Sequence, residues 1–130
     1  MQIDDKPHCT IDYDPKLKCV IQTWRGFAGS QKFRASILET IDAFARHDAE
    51  AIISNTQEAE AVKQNDADWV ATYANPILIR HGLCRIAFIV PESVLGKWSV
   101  NHFMQESTEQ LKMQYFDNFD KAKAWIAQSL

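Results

Sequence analysis

The chain has 130 residues, a formal net charge of −3 and a hydrophobic fraction of 46%. This length predicts a single domain, residues 1–130, that is large enough to bury its own core. The acidic balance, with no Lys/Arg run, excludes nucleic acid as a main partner, because phosphate binding needs a basic surface. No run of 18 apolar residues is present, so no membrane span is predicted. An odd number of cysteines without C-x-x-C spacing, and an N-terminus without an apolar leader, predict a reducing, cytoplasmic location.

Two strand-like runs open the chain, at residues 10–13 and 19–24. Between them, Asp14 and Pro15 predict a turn, because proline fixes φ and the aspartate side chain can accept hydrogen bonds from the backbone ahead. Such a short connection joins antiparallel neighbours, so the two runs predict a hairpin.

A helix is predicted over residues 30–46, with Ser30 as its N-cap. Its apolar residues recur at steps of three and four and predict one buried stripe: Phe33, Ile37, Ile41 and Phe44. A short strand at residues 51–53 follows, with residues 54–57 as its polar exit.

The second predicted helix begins with Asp66 as its cap and carries an apolar stripe of Trp69, Val70, Tyr73 and Ile77. Pro76 falls inside this pattern and should kink or split the helix, because it lacks a backbone donor. Gly82 is a natural residue for ending the helix and releasing the chain into the next strand.

The unbroken apolar run at residues 85–90 predicts a strand buried on both faces, in the middle of a parallel sheet. Four side chains of the central strands are expected to be almost fully buried: Ile52, Ile86, Phe88 and Ile89. A shorter helix from Pro91 should then carry Leu95, Trp98 and His102 on one side.

Alternating apolar and polar residues at 111–115 predict the last strand. Asp117 then caps a final helix with four inward residues: Phe119, Ala122, Trp125 and Ile126. The predicted order is β-β-α-β-α-β-α-β-α, an α/β sandwich with a mostly parallel five-stranded sheet and an antiparallel first strand at its edge. Right-handed crossovers between sequential strands place the crossover helices on one face, so another element, a partner or a ligand must cover the other.

This order resembles the STAS domain and the related SpoIIAA-like and Sec14-like folds, in particular a small, largely uncharacterised bacterial branch. The landmarks of the resemblance are W-R-G at Trp24 to Gly26, D-A-D-W at Asp66 to Trp69, Pro76, Gly82 before I-A-F-I-V at Ile86 to Val90, and A-K-A-W at Ala122 to Trp125. It implies a regulatory or protein-interaction module. In the anti-sigma-factor antagonists of this group, a phosphorylatable serine beside an aspartate follows the third strand. The corresponding residues 54–57 have no Asp-Ser pair.

Four aromatic residues are candidates for lining a ligand-binding groove: Trp24, Trp69, Tyr73 and Trp98. Aromatic rings bury a large area and suit apolar ligands. The alternative is that they belong to the core, since each lies at a strand end or on a helical stripe.

Ser54 and Thr56 are candidates for regulatory phosphorylation, because a following helix N-terminus or nearby Lys and Arg would stabilise the added charge. The alternative is a hydroxyl-rich turn that satisfies backbone groups.

No metal site or cofactor is predicted, because the four histidines are widely separated and lack ligand spacing. His47 and His81 are better explained at helix C-termini, and Asp66 and Asp68 by helix capping and dipole compensation. Cys84 lies near His81, but it is expected to begin a buried strand, where a thiol is inert.

Three functions stay open, in this order. The first is a non-catalytic regulatory or protein-interaction module of a bacterial cytoplasm, which binds a protein partner or forms a homodimer. The second is a carrier or sensor of a small apolar, lipid-like ligand. The third is an unrecognised enzyme, which is the least favoured because nucleophile, base and orienting group are not found together.

Overall fold

A computed structural model describes residues 1–93 and 111–128 of the chain. Its strands are β1 (Gln2–Lys6), β2 (Cys9–Asp14), β3 (Cys19–Gly26), β4 (Ala51–Ala59), β5 (Arg85–Ile89) and β6 (Lys112–Phe116). Its helices are α1 (Ser30–Arg46), α2 (Gln64–Trp69), a π-helical turn (Val70–Ala74), α3 (Asn75–Arg80) and α4 (Phe119–Gln128). The third predicted helix, with Leu95, Trp98 and His102, lies outside the described residues.

The strands form one mixed sheet in the order β1-β2-β3-β4-β5-β6. The predicted hairpin is confirmed, because β2 and β3 pair antiparallel, and Asp14 Oδ1 accepts the backbone N–H of Lys16 at 2.9 Å in the turn. The four strands β3 to β6 are parallel, as predicted.

The sheet has six strands rather than the predicted five, because β1 pairs antiparallel with β2 and takes the edge position. Its sequence, QIDDK, has no regular alternation of apolar and polar residues, so the pattern does not predict a strand. An edge strand tolerates such a sequence because water can solvate its outer side. The strand predicted to be at the edge, β2, is therefore internal.

β4 is also longer than predicted, since it continues through the polar residues that were expected to be its exit. β5 pairs with β4 over residues 51–55, and β3 pairs with it as far as Ala59. The polar residues after Asn55 therefore extend the strand through their pairing with β3. The pairing with β3 shifts register between Thr23 and Arg25, where β4 has one extra residue.

The sheet separates two apolar clusters. On the first face, α1 and α3 pack on β2 to β5 through side chains that include Phe44, Ile37, Leu78, Val20 and Ile86. On the second face, α4 packs on β4 to β6 through Ala122 and Ile126. The chain itself therefore supplies cover for part of the second face. Beside α4, a surface pocket of about 390 Å³ opens over β2 and β3.

The helix pair after β4 is continuous through Pro76, because the backbone forms a π turn directly before it. The N–H of Asn75 donates to the carbonyl of Val70, five residues earlier. The wider turn accommodates a ring that would otherwise clash with the preceding turn. The fully buried residues of this segment are Asp66, Ala74 and Leu78. In the predicted apolar stripe, Trp69, Val70 and Ile77 are half-buried, whereas Tyr73 is exposed.

Helix ends agree with the predictions in part. Gly82 has φ +106° directly after α3, and Leu83 N–H donates to Leu78 O at 3.0 Å across it, as a glycine-terminated helix requires. The predicted caps at the starts are wrong. Gly29 rather than Ser30 is the N-cap of α1, and Asn118 rather than Asp117 accepts the N–H of Lys121, at 2.9 Å, at the start of α4.

Within residues 1–93 and 111–128, no helix is both long enough and apolar enough to cross a bilayer.

Candidate functional site

Three of the four aromatic candidates, Trp24, Trp69 and Tyr73, lie within the described residues. Trp24 is 7% exposed in the first-face cluster, where it packs on Phe33 at a ring distance of 5.2 Å and donates from Nε1 to Gln22 Oε1 at 3.2 Å. Trp98 lies outside the described residues. The structure brings together Trp69 and Tyr73, whose rings stack at 5.3 Å with an angle of 19° between them.

This stacked pair is part of a surface formed by Arg34, Leu38, Trp69 and Tyr73, which we call the Trp69–Tyr73 surface. The Arg34 guanidinium lies 4.9 Å from the centre of the Trp69 ring, within the range of a cation–π interaction. Leu38 lies one helical turn beyond Arg34, as Tyr73 does beyond Trp69, and each is 48% exposed. α1 runs beside α2, the π turn and α3, so the four side chains occupy neighbouring turns of two aligned helices.

A buried carboxylate holds this surface in place. Asp66 is 2% exposed, and it accepts hydrogen bonds from Ser30 Oγ at 2.7 Å and from Arg34 Nε at 2.8 Å. The hydrogen bond from Ser30, together with the Arg34 guanidinium, lowers the pKa of Asp66 below its usual range despite burial. The carboxylate therefore fixes the orientation of Arg34 over the Trp69 ring.

Sequence reasoning assigned Asp66 to helix capping and missed this role. The N-cap of α2 is Lys63, and Asp66 lies in the first turn of the helix. A signal was available in the sequence: Ser30 and Arg34 lie one turn apart on α1, so both could reach the same carboxylate. Asp68, by contrast, is exposed and accepts a hydrogen bond from Gln64 on its own helix at 2.9 Å.

The two phosphorylation candidates lie within β4 rather than in a turn after it. Ser54 is 6% exposed. The hydroxyl of Thr56 is half-buried and donates to Ile89 O of β5 at 2.8 Å. A kinase would have to open this part of the sheet to reach Ser54.

Cys84 is exposed, so the expectation of a buried thiol is wrong, because the residue lies just before β5 rather than within it. Partial desolvation and the nearby Glu50 carboxylate raise its pKa above the ordinary value, which disfavours the reactive thiolate. His81 and His47 are the C-cap residues of α3 and α1, as predicted. Among the described residues, no group of three His, Cys, Asp or Glu side chains could hold a metal ion.

A buried hydrogen-bond network between the β1–β2 turn, β3 and α1 was not predicted. His8 Nε2 lies 2.9 Å from Ser36 Oγ, and Thr40 Oγ1 donates to Ser36 O at 2.9 Å. Gln22 Nε2 donates in turn to Thr40 Oγ1 at 2.8 Å. Ser36 is 1% exposed, and burial raises the pKa of the neighbouring Cys9 thiol to about 12. These buried hydrogen bonds therefore connect the sheet to α1, and they do not present a nucleophile to solvent.

Comparison of the chain with protein-family models, with curated proteins and with solved structures gives no match.

Proposed function

We propose that this chain is a non-catalytic, STAS-like regulatory module of a bacterial cytoplasm that binds a partner protein through the Trp69–Tyr73 surface. The observation that carries this proposal is the stacked pair of Trp69 and Tyr73. The buried Asp66 carboxylate holds Arg34 against the Trp69 ring, while Tyr73 remains exposed to solvent. Trp, Tyr and Arg are the residue types that contribute most binding energy in protein interfaces.

The surface is also already ordered before binding. Arg34 is held by Asp66 and by the Trp69 ring, so few side-chain rotamers remain to be lost on association. The negative charge of Asp66 compensates the positive charge of Arg34. The other side chains of the surface, Leu38, Trp69 and Tyr73, carry no charge. The surface therefore fits a partner that presents apolar side chains rather than a strongly charged segment.

Affinity purification from the cells that naturally contain the protein would test this function. Tagged wild-type protein is compared with Tyr73→Ala, and with Val62→Ala as a control that truncates an equally exposed apolar side chain outside the Trp69–Tyr73 surface. A partner that copurifies with the wild type and the control, but not with Tyr73→Ala, is then purified for calorimetry. We expect Tyr73→Ala and Leu38→Ala each to weaken its binding by about tenfold or more, as for residues that dominate an interface.

The proposal would be contradicted if no copurifying protein depended on Tyr73, or if Val62→Ala had the same effect. Circular dichroism of each variant must match that of the wild type, so that a loss of binding reports on the surface and not on folding.

A further inference from the structure

A second pocket, distinct from the one beside α4, lies near the N-terminus of α1, between the β1–β2 turn and the loop that joins β3 to α1. It has a volume of about 420 Å³ and is lined by Lys6, Pro7, His8, Arg25, Gly26, Phe27 and Lys32. Among these residues three are Lys or Arg, one is His and none is acidic, although the chain as a whole has a net charge of −3. The lining itself therefore carries positive charge, and the carboxylates that compensate part of this charge lie around the pocket.

His8 is a buried residue of the pocket lining. Its side chain is 9% exposed, and Nε2 is engaged with Ser36 Oγ at 2.9 Å. The other ring nitrogen, Nδ1, has no hydrogen-bond partner among the described residues, while the residue itself lines the pocket. When Nε2 accepts the proton of the Ser36 hydroxyl, Nδ1 carries a hydrogen and can donate it to a ligand.

Hydrogen bonds hold the side of the pocket that is formed by Arg25 and the β1–β2 turn. Arg25 Nε donates to Pro7 O at 3.2 Å, and Arg25 Nη2 donates to Lys6 O at 2.9 Å and to Thr10 Oγ1 at 2.6 Å. The guanidinium therefore braces the β1–β2 turn against the end of β3. The contact between His8 and Ser36 ties the same turn to α1.

Nearby carboxylates compensate much of the charge of Lys6 and Arg25. Asp4 pairs with Lys6 at 2.7 Å, and Asp5 lies 3.9 Å from Arg25. The Glu39 carboxylate is also close enough to Lys6 to contribute to raising its pKa. Lys32 has no ion-pair partner among the described residues, and no acidic residue occurs in the first turn of α1.

From these contacts we propose that this pocket binds an oxyanion, a phosphate or carboxylate group, that is attached to an apolar or aromatic body. Lys32 and His8 would hold the oxyanion, and Arg25 would contribute its positive charge while bracing the turn. Phe27, which is 56% exposed, would contact the apolar body. This site is separate from the Trp69–Tyr73 surface and does not depend on the function proposed for that surface.

Titration of the ¹⁵N-labelled protein by NMR at low ionic strength would test the site, with phenyl phosphate, benzoate and inorganic phosphate as probes. We expect saturable shifts at the amides of Gly26, Phe27 and Lys32 and at the His8 ring. Phenyl phosphate or benzoate should bind more tightly than inorganic phosphate, and the tighter of the two identifies the oxyanion. Lys32→Gln should weaken binding roughly two- to fivefold, as for a partly exposed charge pair, and Phe27→Ala should remove the advantage of the aromatic probes.

Lys16→Gln is the matched control, since it removes the same charge from an exposed position in the β2–β3 turn. The proposal is overturned if the shifts do not saturate, if they occur away from the pocket, or if Lys16→Gln weakens binding as much as Lys32→Gln. It is also overturned if Phe27→Ala leaves the preference for aromatic probes intact. His8→Gln is avoided because the buried contact with Ser36 contributes to the fold.

Discussion

Asp66 lies in the first turn of α2, and its carboxylate also accepts hydrogen bonds from Ser30 and Arg34 of α1. A single negative charge therefore lies near the N-termini of two helices, where helix dipoles stabilise it. The bond to Asp66 also explains why Ser30 does not cap α1, because its hydroxyl points toward the neighbouring helix.

Replacing Asp66 with Asn tests this arrangement. The amide has one acceptor atom, so its NH₂ group would face the donor of either Ser30 or Arg34. We expect Asp66→Asn to be less stable than the wild type at pH 7 by chemical denaturation.

The pH dependence of Asp66→Asn follows from the lowered pKa of Asp66. The charged carboxylate stabilises the fold fully above the ordinary value of 3.8, and this contribution is lost as the pH falls through the lower pKa of the folded state. The stability gap between the two proteins should therefore shrink as the pH falls below 3.8. A gap that is constant from pH 7 to acid pH, or absent at pH 7, would show that the ionised carboxylate does not stabilise the fold.

At the scale of elements, the central strands show how burial differs between the two faces of one strand. Ile52, Ile86 and Ile89 are 4%, 5% and 0% exposed, as predicted. The same prediction is wrong for Phe88, which is only partly buried and stacks on Tyr115 of β6 at 5.2 Å. Phe88 lies on the first face of the sheet, next to the edge strand β6, where it is only partly covered. Ile53, in contrast, lies on the second face beneath α4 and is fully buried.

Truncation in β4 and β5 measures this difference. Ile53→Ala should cost about 2–5 kcal/mol, because a fully buried side chain leaves a cavity. Phe88→Ala should cost less than Ile53→Ala, since part of its ring is already in water. Glu58→Ala, an exposed position on β4, is the control and should stay within about 0.5 kcal/mol of the wild type. An equal or larger loss for Phe88→Ala in chemical denaturation would contradict the burial seen here.

At the scale of the whole molecule, the sheet divides the core into two layers, and each layer contains one buried cysteine. Cys9 belongs to the first-face cluster and Cys19 to the cluster under α4. Burial raises the pKa of both thiols to about 12, so each is protected by protonation as well as by packing. The thiols therefore report separately on the two layers.

Loosening α4 should expose one layer and not the other. In the native protein, we expect a thiol reagent to label Cys84 first, and more slowly than free cysteine at the same pH. Ile126→Ala removes a side chain that is 2% exposed, and it should raise the labelling rate of Cys19 at least about tenfold through local opening of α4. Cys9 should keep its wild-type rate. Mass spectrometry of the labelled peptides gives the labelling rate of each thiol. If Ile126→Ala increased the labelling rates of Cys9 and Cys19 equally, the two layers would open together, which would contradict this prediction.

Local chemistry in the sequence is sufficient to predict several elements. The Asp14–Pro15 turn brings β2 and β3 into a hairpin, and Gly82 ends α3, because each depends on residues within a few positions of one another. The spacing of Phe33, Ile37 and Phe44 likewise predicts the buried side of α1. Each of these features is determined by residues that are close together in the chain.

Contacts between distant segments decided the rest. β1 exists because the hydrogen-bonding edge of β2 was available to a polar segment. β4 extends beyond its pairing with β5 because β3 pairs with it as far as Ala59. The role of Asp66 could not be predicted from its own helix, since its donors lie more than thirty residues away. The second pocket could not be predicted from one segment either, because its lining residues come from β1, the β1–β2 turn, the end of β3 and α1. Backbone pairing and charge act through space, so only the tertiary structure determines which groups meet.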